Sequence, residues 1–254
     1  MRYDQSLDLT GRRALVTGGS RGLGAVLART LAAHGAHVHI NYVRHQAEAE
    51  ATLQAIRDAG GTGELAPANL TRPEEVRALV TGPLREGLDI LIHSAAIGSF
   101  KPTHAVRANQ WDLSMNVNAR ALLLCVQEAL PALTARRGRV VAVSSMGGTR
   151  VIPSYGAIGV SKAALESLTR YLGVELAARG IHVNAVAGGL LDLPSVRQHP
   201  GFEPLAADTI RRTPAQRLGT ADDIARIVLF LCSPLSDWMI GQTLVADGGM
   251  SLTV

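Results

Sequence analysis

The sequence predicts an α/β fold: a doubly wound, seven-stranded, mainly parallel sheet with helices on both faces. Three observations lead there. Short apolar runs rich in β-branched residues alternate with longer segments of helical period. The runs are nearly continuous in apolar character, the pattern of strands buried on both faces. A glycine-rich turn separates the first run from the first helical segment. Parallel neighbours need right-handed crossovers, so this order of elements gives a Rossmann-like architecture.

The strands follow in order. RRALVT comes first, AHVHINY second and the weaker GTGELAPAN third; LDILIHS, GRVVAVSS, IHVNAVA and TLVADG complete the set. Helical period appears between them in AVLARTLAAHGA, WDLSMNVNARALLL and TADDIARIVLFL. The rhythm fails only in LLDLPSVRQHPGFEPLAADTIRRTP, residues 190–214, which reads as a long irregular insertion after the sixth strand. Insertions at the carboxyl side of parallel strands suit substrate lids. The expectation is one domain over 1–254, with a lid at about 190–214.

Composition narrows the function. At 254 residues and 47% hydrophobic, the chain can bury one substantial core. No run is long enough to cross a bilayer, and no basic block tracks a nucleic-acid backbone, so neither membrane nor nucleic acid is an expected partner. Cys125 and Cys232 lie in amphipathic runs and read as core residues of a cytoplasmic protein. Of 25 basic residues only Lys101 and Lys162 are lysine, which marks Lys162 for work that arginine cannot do.

The turn TGGSRGLG carries Gly18, Gly22 and Gly24 just before a helix. Glycines there let the backbone approach a pyrophosphate, and the helix N-terminus offers N–H groups and a favourable dipole to that anion. After the second strand, HINYVRH has Asn41 where an acid would accept from the ribose hydroxyls. With no acid to repel a 2′-phosphate, Arg21 and Arg44 can flank it, which favours NADPH over NADH.

PSYGAIGVSKAAL contains the catalytic question. Tyr155 and Lys162 are seven residues apart, with Ile158 where a tyrosine one helical turn before the lysine would stand. Seven residues are nearly two turns, about 10 Å, so the hydroxyl moves outward while staying on the lysine's side. A hydride delivered to the β-carbon of an enoyl thioester leaves charge on the more distant carbonyl oxygen, and that displacement suits it. Lys162 can stabilise a Tyr155 phenolate and hydrogen-bond the cofactor ribose. Ser145, with Ser144 as competitor, can donate a second hydrogen bond to the substrate oxygen or simply close the strand. Asn118 can hold a helix open around a water that reaches Lys162 or serve a purely structural role, with Asn116 as its competitor.

TGGSRGLG, Asn118, Ser145, SKAAL around Lys162 and GQTLVADGG together resemble the short-chain dehydrogenase/reductase family over essentially the whole chain. The spacing Tyr-x6-Lys, with INYVR, APANL, MNVNARALL, YGAIGVSKAALESLTRYL, NAVAGG and TPAQRLG, resembles the enoyl-acyl carrier protein reductase III (FabL) type. The resemblance implies an NADPH-dependent homotetramer using Tyr155 and Lys162. It implies cofactor contacts from Gly18, Ser20, Arg21, Gly22, Leu23, Gly24, Tyr42, Arg44, Asn69, Leu70, Ser94, Ala95, Lys162, Gly188 and Leu190. The chain departs from the pattern at His93–Ala96, where HSAA replaces Asn-Asn-Ala-Gly, and His93 reads as a packed strand-end histidine. Further departures are Ala187-Gly188-Gly189 in place of proline-glycine, Asn69 in place of an aspartate, and no second tyrosine at Thr149, Arg150 or Val151. The expected activity is NADPH-dependent reduction of an enoyl thioester on acyl carrier protein or CoA. A carbonyl reductase and a catalytically silent NADPH-binding protein are the alternatives.

Overall fold

The computed structural model describes residues 7–197 and 201–253. Residues 198–200 of the expected lid, and 1–6 and 254 of the expected domain, lie outside the described residues. The seven strands are β1 (Arg13–Thr17), β2 (His37–Tyr42), β3 (Thr62–Pro67), β4 (Ile90–His93), β5 (Arg139–Ser145), β6 (His182–Gly188) and β7 (Thr243–Ala246). They form one sheet in the order β3-β2-β1-β4-β5-β6-β7, and every neighbouring pair is parallel. The order reverses between β1 and β4. Outside the carboxyl ends of strands at such a switch, loops diverge and leave a crevice.

Successive side chains of each strand point to opposite faces, and the core divides accordingly. Ala14 and Val16 of β1 pack in the layer beneath α1 (Gly22–Ala33), α2 (Gln46–Asp58) and α9 (Ala221–Cys232), with Leu27, Ile56 and Val228. Leu15 faces the other layer, beneath α3 (Pro73–Thr81), α5 (Ala121–Arg136) and α6 (Gly156–Ala177), with Leu79, Leu122 and Leu165. Between α4 (Ala108–Met115) and α5, residues Asn116–Arg120 form one turn of π-helix. Cys125 and Cys232 are free and buried. No helix among the described residues is long and apolar enough to cross a membrane.

The segment 190–214 departs from the expectation of an irregular insertion. It holds a short helix, α7 (Pro194–Arg197), and an eleven-residue helix, α8 (Phe202–Arg212). Glu203 sits in the first turn of α8 and Arg211 and Arg212 in its last, each favourable to the helix dipole. Asp208 pairs with Arg211 and Arg212, while Phe202, Ala206 and Thr209 face inward. The segment is anchored at its base, where Gly219 N–H donates to Leu190 O at 3.0 Å and Asp192 N–H to Gly219 O at 2.8 Å.

Candidate active site

The glycine turn follows β1. Gly18 and Gly22 have φ of +64° and +55°, a region that favours glycine. A Cβ at Gly24 would lie 2.1 Å from Gly18 O, so only glycine lets α1 start this close to the strand. A Cβ at Gly22 would meet nothing within 4 Å, which leaves the turn open toward the crevice. α1 has neither a side-chain cap nor an acid in its first turn, so its N-terminal N–H groups are available to an anion. This cradle fits a pyrophosphate.

Around it, Ser20 is buried and its carbonyl accepts from Thr52 Oγ1 at 2.9 Å, which ties the turn to α2. Asn41 is also structural: its Nδ2 donates to Ala66 O and Ala68 O, both at 3.0 Å, and its carbonyl accepts from Gly19 N–H. Tyr42 and Leu70 are buried at strand and loop ends. Arg21 and Arg44 are exposed and, among the described residues, neither pairs with a carboxylate. Asn69 Oδ1 accepts from the Thr71 N–H and hydroxyl.

At the end of β4 the HSAA segment is tightly bound. Thr17 Oγ1 accepts from the N–H groups of Ser94 and Ala95 at 3.1 and 3.0 Å, and lies 3.2 Å from His93 Nδ1. His93 Nε2 is 3.2 Å from the carbonyl oxygen of Asn118. A carbonyl only accepts, so Nε2 carries the proton and Nδ1 accepts from the Thr17 hydroxyl. Burial, reinforced by the Lys162 charge, pushes the imidazole down to about 4 and keeps it neutral. His93 is therefore a packed strand-end residue, as expected, and it also grips the π-turn. The Asn118 side chain, fully buried, accepts from Ile97 N–H at 2.8 Å and donates to Ile97 O and Ser161 Oγ. Asn118 thus joins the β4 loop to α6, while His93 takes up its carbonyl oxygen.

α6 begins directly after Tyr155, which sits at the N-cap with φ −107° and ψ 6°. The two-turn estimate of reach therefore starts one residue late. The Ser145 hydroxyl neighbours that of Tyr155, and its Oγ accepts from Gly147 N–H at 3.2 Å. A Cβ at Gly147 would lie 2.6 Å from Tyr155 Cε1, so this glycine gives the ring its berth. The Phe100 ring lies 5.8 Å from that of Tyr155. Ile158 is buried, and a Cβ at Gly98 would sit 2.1 Å from its Cγ1. The position one turn before Lys162 is thus filled by a hydrocarbon pressed against the β4 loop.

Lys162 is buried and donates to Val143 O at 2.6 Å. Burial lowers its ammonium to about 8, against an opposing pull from Glu166. Burial also raises the Tyr155 phenol above its ordinary value, and the Ser145 hydrogen bond only partly offsets this. Desolvation is the larger influence, so the resting group is a phenol able to donate. Ser144, the competitor of Ser145, is buried and donates to Glu166 Oε1. That leaves Ser145 as the strand-end hydroxyl beside Tyr155. Gly188 ends β6, opposite Ser145.

Thr17, Ser161 and Glu166 escaped sequence reasoning. Only Glu166 carried a signal, as an acid four residues after Lys162 in an otherwise apolar helix stretch. On the segment 190–214, Arg197 makes a two-pronged pair with Asp192, and Arg211 and Arg212 pair with Asp208.

The family described as Enoyl-(Acyl carrier protein) reductase matches residues 18–251. A 1-cyclohexenylcarbonyl-CoA reductase of Streptomyces collinus is 38% identical over 243 residues, covering 94% of this chain and 86% of the relative. A 3-oxoacyl-[acyl-carrier-protein] reductase of Staphylococcus aureus is 32% identical over 244 residues, covering 94% and 98%. The structure of a Burkholderia cenocepacia gluconate 5-dehydrogenase in complex with NADP and tartrate superposes with a TM-score of 0.90 at 30% identity, covering 98% of both chains. These relatives are named for different substrates. What they have in common with this chain, over nearly its full length, makes it an oxidoreductase of the short-chain dehydrogenase/reductase family.

Proposed function

We propose that the protein is an NADPH-dependent reductase of the α,β double bond of an enoyl thioester. The observation that carries this reading is the position of Tyr155: at the N-cap of α6, beside Ser145, with Ile158 closing the position one turn before Lys162. When bound along the glycine turn, NADPH supplies a hydride for the substrate β-carbon. Gly18, Gly22, Gly24 and the first N–H groups of α1 hold the pyrophosphate, and Arg21 and Arg44 flank the 2′-phosphate. Ser20, Leu23, Tyr42, Asn69, Leu70, Ser94, Ala95, Gly188 and Leu190 border the remaining cofactor surface.

Tyr155 Oη, protonated in the resting site, donates to the thioester carbonyl oxygen as negative charge builds there. Ser145 supplies the second donor. Such preorganised donors in a water-poor site are worth roughly two to four kcal/mol each. Lys162, with one donor fixed on Val143, directs its remaining donors toward the cofactor ribose. Phe100 beside Tyr155, together with Leu205 and Ile210 on α8, offers apolar surface to an acyl chain. The segment 190–214 acts as the lid. Identity with a CoA-thioester reductase supports the thioester class, carried on CoA or acyl carrier protein. Exposed Tyr171 and Val174 on α6, with Val245 on the edge strand β7, suit burial against further copies in a cytoplasmic homotetramer.

The test is a panel of NADPH-oxidation assays with crotonyl-CoA, longer enoyl-CoAs, enoyl-carrier protein, 3-oxoacyl thioesters and simple ketones. Turnover of enoyl thioesters with products saturated at the α,β bond is expected. Preferential turnover of 3-oxoacyl substrates would transfer the protein to the carbonyl reductases, the activity named for its Staphylococcus aureus relative. NADPH binding with no turnover on any arm would indicate a silent binding protein.

A further inference from the structure

Three consecutive residues at the end of β5 are each held by a residue at the start of α6. Val143 O accepts from Lys162, Ser144 donates to Glu166, and Ser145 neighbours Tyr155. Two of these contacts belong to the reaction proposed above. The third, through Glu166, has no part in it, yet it places a carboxylate 5% exposed in the core, one helical turn beyond an equally buried lysine. Burying a carboxylate costs several kcal/mol unless it is paired and hydrogen-bonded. The turn after Ser145 closes directly over it: a Cβ at Gly148 would lie 2.6 Å from Glu166 Oε1.

We propose that Glu166 is a positioning residue: its buried carboxylate keeps Lys162 in the ammonium form and, by gripping Ser144, fixes the strand end that presents Ser145 to Tyr155. The inference rests on the enoyl-reductase reading for its catalytic consequence but not for its electrostatic one. The ionisable groups that act on Lys162 or feel its charge are Glu166 on its own helix and His93 from β4. His93 is held neutral, so Glu166 is the counter-charge. Burial drives Lys162 down to about 8 even against the pull of Glu166. Without the carboxylate, burial acts unopposed and the amine sheds its proton nearer neutrality.

With two lysines in the chain, isotope-labelled lysine ε-carbons give two resonances, and Lys101→Arg assigns them. In Glu166→Gln the Lys162 titration midpoint should fall by about one pH unit or more. The alkaline limb of kcat/KM for the enoyl thioester should fall with it. Ser144→Ala removes the hydrogen-bond donor but keeps the charge, so it should leave the midpoint in place while lowering kcat. An unmoved Lys162 midpoint in Glu166→Gln would overturn the proposal and leave Glu166 a packing residue. Should that variant not fold, the unmodified protein decides: the carboxyl carbon of Glu166 should register the Lys162 titration as a step at the same pH, and a flat trace would refute the coupling. If no variant reduces any enoyl thioester, the functional reading fails alone, because the lysine titration is measured without substrate.

Discussion

Two buried neutral histidines should make the fold acid-sensitive well above the carboxylate range. His39 has no exposed surface, and burial, with Arg13 and His37 nearby, pushes it down to about 3; burial pushes His93 down to about 4. In the unfolded chain each takes up a proton near its ordinary value of 6.5. The folded state is then penalised from about pH 6.5 downward, and the loss is complete only once the folded values are passed. Between pH 7 and pH 5 each histidine forfeits about 2 kcal/mol of stability, so the pair removes about 4 kcal/mol, a large share of a typical domain's margin. Urea unfolding at the two pH values measures this directly. His93→Asn, which can still donate to the Asn118 carbonyl, should roughly halve the difference between the two curves. A stability that stays flat from pH 7 to pH 5 would refute the assignment of both rings as neutral and buried.

Gly24→Ala should weaken NADPH binding at least about tenfold by fluorescence titration, because its Cβ cannot lie 2.1 Å from Gly18 O without opening the turn; unchanged affinity would show that the turn does not hold the phosphates. Arg44→Asp should cost NADPH on the order of tenfold while sparing NADH, and equal losses for the two would remove Arg44 from the 2′-phosphate. Tyr155→Phe should lower kcat about a hundredfold or more with little change in the NADPH dissociation constant, and near-normal turnover would make Tyr155 a packing residue. Asn118→Ala removes hydrogen bonds to Ile97 and Ser161 and should lower the melting temperature by several degrees; a melting temperature equal to that of the unmodified protein would mean that water replaces them.

All seven strands were legible because a parallel sheet buried on both faces writes itself as continuous apolar runs, and even the weak GTGELAPAN forms β3. The phosphate turn was legible for a different reason: backbone conformations with positive φ and close approaches demand glycine, and that demand shows in one letter. Segment 190–214 was misread because prolines and polar residues mask an amphipathic helix whose buried face is only Phe202, Ala206 and Thr209. The choice between Ser144 and Ser145 could not be made from sequence, since adjacent strand residues face opposite ways and only the position of Glu166 tells which hydroxyl is already taken.

These buried groups explain how a site can keep a lysine out of water and still aim it. Lys162 is flanked by two polar chains, one running from Thr17 through His93 to Asn118 and Ser161, the other from Ser144 to Glu166. Among the described residues no buried side-chain nitrogen or oxygen of these seven lacks a partner. Full satisfaction matters because in a low-dielectric interior each bond is strong and each orphan costly, so any rearrangement must break a bond it cannot replace. Ile158 closes the remaining direction with hydrocarbon, which offers no polar alternative to the amine. Lys162 itself is held at the strand end by its bond to Val143 O, two residues before Ser145. A tyrosine one turn nearer the lysine would serve an oxygen beside the hydride-accepting carbon; under the enoyl-reductase reading proposed above, Tyr155 serves one farther out.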